Sequence, residues 1–322
     1  MSSGVRMEKQ PGRVGGLVFV FPGGGSQYVG MGKDAYEQSE GARRVFDQAD
    51  SVLGFSLSRL CFQGPEEQLN DTLNAQPAMV AMGAALLAVL HEHAGAAWTP
   101  DFVAGHSTGQ YTALIAAGVL DFSSALRLVR ERARLMQEAG ATRPGAMAAV
   151  LGLEAEALRA ICAEVGDVWI ANDNAPGQIV VSGTQPAVER ALQLAAERGA
   201  KRAIRLTVNI ASHCPLMASA AQPLAEIISG LRLGPPCMPV VGNVSATAVS
   251  EVADMRRELV QHITSPVRWV ESIRYLTEHG MRTFAEIGPK SVLSGLIKRI
   301  ERDVRTVTVG TMAEVEALGV GS

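Results

Sequence analysis

Gly105-His106-Ser107-Thr108-Gly109 fits G-x-S-x-G, the pattern of a serine held on a tight turn between a strand and a helix. Its flanks agree: Phe102-Val103-Ala104 closes a short buried strand, and 108–119 reads as a helix with small residues where it must approach a sheet. Glycines at 105 and 109 remove Cβ atoms where backbone and helix crowd together. Such a turn exposes Ser107 Oγ and aims backbone N–H groups and a helix N-terminus at any negative charge that forms beside it. In a chain with 33 glycines, a chance match is the competing reading.

A serine hydroxyl is a weak nucleophile at neutral pH and needs a base. Among the six histidines, His91 and His93 end a helix and read as solvated. His279 sits at a helix C-terminus, where a cation is electrostatically welcome, and His262 ends another helix and reads as structural, while His106 lies in the turn itself, where its ring braces the elbow. His213 follows a strand expected to end at Val208 and precedes a helix expected to open at Pro215. The carboxyl end of a strand is where an α/β sheet places ligand-facing residues, so His213 is the candidate base. A capping or core histidine is the alternative.

Arg132 is the second unusual residue. On a wheel of about 100° per residue, Ala125, Val129, Arg132, Met136 and Ala139 share one face of the 123–139 helix. Arg127, Arg130, Arg134 and Glu138 fall on the other. Arginine is almost never fully buried unless paired. Either an acidic side chain satisfies Arg132, or its planar fork is kept for an anionic ligand such as a carboxylate. A third element is the loop Pro22-Gly23-Gly24-Gly25-Ser26-Gln27 after a first strand at 17–21. It matches neither glycine-rich phosphate pattern well. A backbone N–H from this loop, joined by that of Thr108 in an oxyanion hole, fits better.

These residues need a scaffold. Strands alternating with helices predict an α/β fold, a mostly parallel sheet with helices on both faces. From Arg143 the order changes: strand 146–151, helix 154–165, strands 168–172 and 178–182, helix 185–198 and strand 203–208. That β-α-β-β-α-β order is a ferredoxin-like unit. The expected organisation is a large α/β subdomain, 15–141 plus 209–322, interrupted by a small subdomain at 142–208, with 1–14 flexible. Strands at 240–243 and 283–287 and a helix from Ser291 return the chain to the main sheet.

Bulk properties exclude several classes. With 322 residues, 47% hydrophobic, 19% charged and net charge −3, nothing suggests nucleic acid or an anionic membrane as partner. Cys61, Cys162, Cys214 and Cys237 are scattered, with no C-x-x-C pair to hold zinc, so reduced thiols in the cytoplasm are expected. The polar N-terminus lacks the apolar core of a signal peptide. The longest apolar run, 78–90, is about 13 residues, too short to span a bilayer.

Taken in order, the motifs resemble the malonyl-CoA:acyl carrier protein transacylase family, which includes the acyltransferase domains of polyketide synthases. The resemblance runs from about Gly16 to Thr311. It rests on Phe21-Pro22-Gly-Gly-Gly-Ser26-Gln27, Gln76-Pro77-Ala78, Gly105-His106-Ser107-Thr108-Gly109 and Arg132 with Met136-Gln137. It continues through Asn172-x-Asn174-x-Pro176-x-Gln178, Ser212-His213-Cys214-x-Leu216-Met217, Ser265-Pro266-Val267-x-Trp269 and Glu286-x-Gly288-Pro289. It implies a hydrolase-like large subdomain with a ferredoxin-like small one. It further implies that Ser107 attacks the thioester of malonyl-CoA and that His213 carries the proton. Gly24 and Thr108 would hold the oxyanion through backbone N–H groups, and Arg132 would pair with the malonyl carboxylate. The family has no acid in its triad; a backbone carbonyl orients the histidine, and alignment points to that of His262. Gln27, His106, Ile210, Ala211 and Ser212 would line the substrate pocket, with Asn174 and Gln178 on the small-subdomain wall. An acyl carrier protein would take the malonyl group on its phosphopantetheine thiol. An acidic carrier would need a basic rim, which Lys201, Arg202 and Arg205 or Lys290, Lys298 and Arg299 could supply, with ordinary solvated charges as the competing reading. No cofactor and no metal are implied.

The chain departs from the family at three places. Gly23-Gly24-Gly25 stands where Gly-Gln-Gly is common, which loosens the loop. Gln110 stands where many relatives have glutamate. Ile210-Ala211-Ser212-His213 matches neither the Tyr-Ala-Ser-His that accompanies methylmalonyl in polyketide acyltransferases nor the His-Ala-Phe-His that accompanies malonyl. Stand-alone malonyl enzymes often carry a small residue and serine there, so malonyl is expected, with methylmalonyl or another substituted malonyl as the alternative. The carrier could serve fatty-acid synthesis, a polyketide assembly line or malonate decarboxylation. A serine hydrolase is the rival activity; in the usual chain order it needs an acid from Asp121, Asp167 or Asp173. A non-enzymatic scaffold that keeps the fold is the remaining rival.

Overall fold

A computed structural model describes residues 15–208 and 210–318, apart from the side chains of Ala96 and Ala97; the segment 1–14, expected to be flexible, lies outside the described residues. The first strand, β1 (Gly16–Phe21), shows why the fold is layered. Val18 and Val20 face a core containing Trp269 and Phe284, whereas Leu17, Phe19 and Phe21 face a second core on the other side. A strand apolar at every position belongs in a sheet covered on both faces.

That sheet has six strands in the order β10-β9-β1-β2-β7-β8. They are β2 (Phe102–Gly105), β7 (Val240–Val241), β8 (Ala248–Val249), β9 (Met281–Ile287) and β10 (Arg305–Val309), beside β1. All pairs are parallel except β7 with β8. β10 has no counterpart in the sequence reading; it adds a parallel edge to β9. β7 is shorter than the expected 240–243, because Gly242 and Asn243 turn away from the strand.

The second sheet runs β4-β5-β3-β6, wholly antiparallel, from β3 (Gly145–Leu151), β4 (Val168–Ala175), β5 (Gln178–Thr184) and β6 (Arg202–Arg205). Helices Ala155–Val165 and Gln185–Glu197 pack on one face, with Leu158, Ile161, Val188 and Ala191 in a common core with Val150, Ile179 and Val181. This is the ferredoxin-like unit, with β6 ending before the expected Val208.

The apolar run 78–90 lies in a helix that begins at Thr72, where Asp71 caps it by accepting from the Leu73 N–H at 2.8 Å. This corrects the argument from the 78–90 run: the whole helix, Thr72–Ala94, has 23 residues and by length and composition could cross a bilayer. Its most apolar window is instead 78% buried inside the protein. Gly83 of this helix lies against the helix that follows the Ser107 turn: a Cβ there would sit 2.7 Å from Thr112 Cγ2. Gly83→Ala therefore gains helix propensity of about 1 kcal/mol yet overpacks, and should lower stability by about 1 kcal/mol net. Urea unfolding should show Thr112→Ala restoring the loss in the double variant; a Gly83→Ala protein as stable as the parent contradicts this packing.

Candidate active site

The Ser107 turn forms where β2 ends and the Gly109–Ala116 helix begins. Ser107 has φ 51°, a left-handed conformation that costs a non-glycine residue about 1–3 kcal/mol and persists only when its surroundings enforce it. The two glycines permit the crowding. A Cβ on Gly105 would lie 2.0 Å from the Gly109 carbonyl carbon, and one on Gly109 would lie 2.0 Å from the Phe21 carbonyl oxygen. Gly23 of the first loop rests on the same turn, since its Cβ would meet the His106 carbonyl oxygen at 2.4 Å. Thr108 occupies the N-cap of the helix.

His213 is 3% exposed, and its Nε2 lies 2.8 Å from Ser107 Oγ. Its Nδ1 lies 2.9 Å from the His262 carbonyl oxygen. A carbonyl only accepts, so Nδ1 carries the proton and Nε2 of the neutral ring is left to accept from the serine hydroxyl. Among the described residues no acid joins the pair. Asp121 caps the Phe122–Thr142 helix, Asp167 takes a tight turn with φ 50° and Asp173 lies on β4. Burial pushes His213 down to about 3, helped by the positive charge of Arg132, while the bond to His262 opposes the shift. The ring is therefore neutral and able to accept a proton across the physiological range.

Arg132 is 1% exposed, at the centre of the apolar face that the wheel predicts. Among the described residues no carboxylate pairs with it. Nη1 donates to Gln76 Oε1 at 2.5 Å, and the guanidinium lies 5.8 Å from the centre of the Tyr111 ring. Nε and Nη2 have no partner. Of the two alternatives left by the sequence, this arrangement fits a receptor for an anion. Gln76 is in turn held by Thr72 Oγ1 at 3.1 Å. A neutral amide thus orients the guanidinium without neutralising it.

His106 is half-buried; its Nε2 lies 2.7 Å from Asn174 Oδ1 of β4, and its ring packs edge-on against Trp269 at 5.4 Å. Gln27 spans its own loop, accepting from Gly25 N–H at 2.8 Å and donating to Asn70 at 2.8 Å. Ala211 is fully buried with its Cβ against Gly145, while Ile210 and Ser212 are half-buried beside it. His262 is also fully buried, its ring 4.9 Å from that of His213. Gln178 is not on this centre: it accepts from Arg299, which also donates to the Pro176 carbonyl at 3.0 Å. Lys290 donates to the carbonyls of Gly25 and Gln27 at 3.4 and 3.3 Å, which ties it to the first loop. No group of three or more His, Cys, Asp or Glu among the described residues could hold a metal ion.

One residue at the turn escaped the sequence reading. Asn243, 2% exposed, accepts from the Ser107 N–H at 2.8 Å. The available signal was its position just beyond the carboxyl end of β7, the same rule that singled out His213.

Comparison with known proteins agrees with this geometry. The family model described as acyl transferase domain matches residues 18–316. A malonyl CoA-acyl carrier protein transacylase of Bacillus subtilis (strain 168) is 46% identical over 304 residues, 93% of this chain and 95% of that protein. The protein of the same name from Escherichia coli (strain K12) is 41% identical over 305 residues, 94% of this chain and 97% of its own. Among solved structures, an acyl carrier protein S-malonyltransferase from Vibrio cholerae has a TM-score of 0.90 at 41% identity, covering 94% of this chain and 99% of that one. A type II PKS acyl-carrier protein in complex with its malonyl-transacylase has a TM-score of 0.91 at 41% identity, covering 94% and 98%. A serine–histidine pair without an acid, beside an unpaired buried arginine on this two-sheet fold, therefore has its place: the chain belongs to the acyl transferase family, among the malonyl CoA-acyl carrier protein transacylases.

Proposed function

We propose that this protein transfers the malonyl group of malonyl-CoA to the phosphopantetheine thiol of an acyl carrier protein through a malonyl-Ser107 ester. The observation that carries this reading is the Arg132 guanidinium, fully buried with Nε and Nη2 free, in the same site as the Ser107–His213 pair. A planar fork with two free donors fits a carboxylate and offers nothing to an acetyl group. Ser107 Oγ attacks the thioester carbonyl as His213 Nε2 takes its proton. The oxyanion is held by the N–H groups of Gly24 and Thr108. Collapse breaks the C–S bond, and the departing thiolate of coenzyme A takes the proton from His213. In the second half the carrier thiol gives its proton to His213 and attacks the ester, and Ser107 leaves with that proton. The cycle is ping-pong and uses no cofactor, since the thioester carries its own activation. Both substrates place the reaction in the cytoplasm. The solved complex of a relative with an acyl-carrier protein supports a carrier as acceptor.

Arg132 also bears on the base. Its charge disfavours protonation of His213, and a malonyl carboxylate that pairs with it removes that opposition. Substrate recognition and base strength are thus linked. Malonyl is the favoured substrate over methylmalonyl, supported by relatives named malonyl CoA-acyl carrier protein transacylases at 41–46% identity. The hydrolase reading loses its footing, because no aspartate between Ser107 and His213 reaches the imidazole.

Intact-protein mass spectrometry after brief incubation with malonyl-CoA should show a malonyl adduct that the Ser107→Ala protein lacks and that a carrier protein clears. An adduct on Ser107→Ala, or rapid release of free malonate without an adduct, rejects the reading. Arg132→Ala should cut malonyl transfer by about 100-fold or more while changing acetyl transfer by less than about ten-fold, as expected when one member of a buried charge pair is removed. Equal losses would make Arg132 structural. The pH dependence follows from His213. Protonation of Nε2 removes the base, so kcat/KM for malonyl-CoA falls as pH drops through the free-enzyme value. Burial and Arg132 hold that value below the ordinary 6.5, so the acid limb should lie below about pH 6.5 and move upward in Arg132→Ala. A limb at or above 6.5 in the parent enzyme contradicts the geometry.

A further inference from the structure

The strained Ser107 turn needs something to hold it. Asn243 spans it. Oδ1 accepts from the Ser107 N–H at 2.8 Å, while Nδ2 donates to the Gly105 carbonyl at 2.7 Å and to Gln110 Oε1 at 2.9 Å. One amide thus grips the last residue of β2, the nucleophile and the first turn of the following helix. Its orientation is unambiguous, because a flipped amide would set oxygen against the Gly105 carbonyl and NH₂ against the Ser107 N–H.

Asn243 is itself fixed. Its carbonyl accepts from Arg268 N–H at 3.0 Å, and the next two N–H groups, of Val244 and Ser245, donate to the Glu258 carboxylate at 2.7 and 3.1 Å. Glu258 lies on the Val252–Gln261 helix, and its own carbonyl accepts from His262 N–H at 2.9 Å. His262 then supplies the carbonyl that orients His213. The serine and the carbonyl that aims its base are therefore referenced to one hydrogen-bonded unit.

We propose that Asn243 is a positioning residue of the transfer reaction: its side-chain amide holds Ser107 in the conformation that meets His213 Nε2. This rests on Ser107 being the nucleophile. Asn243 touches no substrate and acts through the serine turn. Its loss should slow chemistry and leave malonyl-CoA binding largely intact, because Arg132 and the cleft are untouched.

The test is rapid-quench measurement of malonyl-serine formation in Asn243→Ala and Asn243→Asp, with thermal unfolding of each and Ser107→Ala in parallel. Asn243→Ala should form the ester about 100-fold more slowly, the scale of a small misplacement at a reacting centre, with malonyl-CoA affinity within about two-fold of the parent. The isosteric Asn243→Asp keeps the acceptor for Ser107 but sets a carboxylate oxygen against the Gly105 carbonyl. That surrounding raises the carboxyl above its ordinary value of about 3.9, so on acidification it gains a proton it can donate to Gly105. Its rate relative to the parent should accordingly rise several-fold on acidification. A purely structural role predicts losses that follow the folded fraction and no such pH response. Parent-like rates in folded Asn243→Ala, a loss confined to malonyl-CoA affinity, or a pH-independent deficit in Asn243→Asp would each overturn the proposal. Ester formation in Ser107→Ala would instead remove the nucleophile assignment, a separate outcome from any result at Asn243.

Discussion

A guanidinium buried without a carboxylate carries an unbalanced positive charge into a region of low dielectric, and much of this site is arranged around that charge. Arg132 cannot shed its proton, so the burden falls on its neighbours. His213 and His262 are both held below the ordinary histidine range, chiefly by burial and in part by this charge. The site thus keeps the imidazole neutral and the guanidinium charged at once. Gln76 turns the fork without cancelling its charge, a task for which an acidic side chain would be unsuited.

Among the described residues the serine–histidine pair has no acidic third member. The His262 carbonyl fixes the tautomer and the ring direction with a dipole in place of a charge. On the proposed reading, a substrate carboxylate would supply the negative charge that the protein withholds.

The two sheets meet at this centre. Asn174 on β4 of the small sheet holds His106 at the nucleophile turn, and Ala171 and Asp173 on the same strand exchange backbone bonds with Val267 at 2.8 and 2.9 Å. Val267 precedes Arg268, which is bonded to Asn243. The turn is therefore tied on one side to the small sheet and on the other to the large one. Buried hydrogen bonds of this kind are costly to break one at a time, which keeps a strained serine in place.

Local pattern determined much of this protein by itself. The apolar β1, the glycines around Ser107 and the β-α-β-β-α-β order are short-range signals, and the helical period alone places Arg132 on a buried face. Those signals say which side chains face inward, and they say nothing of what meets them there. Whether Arg132 met a carboxylate or an amide depended on Gln76 of another helix, 56 positions away. The grip of Asn243 on Ser107 spans 136 positions, and that of Asn174 on His106 spans 68. β10 joins the sheet only because β9 offers it a parallel edge. Periodicity is a property of one element, whereas hydrogen-bond partners across elements exist only once the chain has packed; tertiary structure decided them, and with them the charge balance of the site.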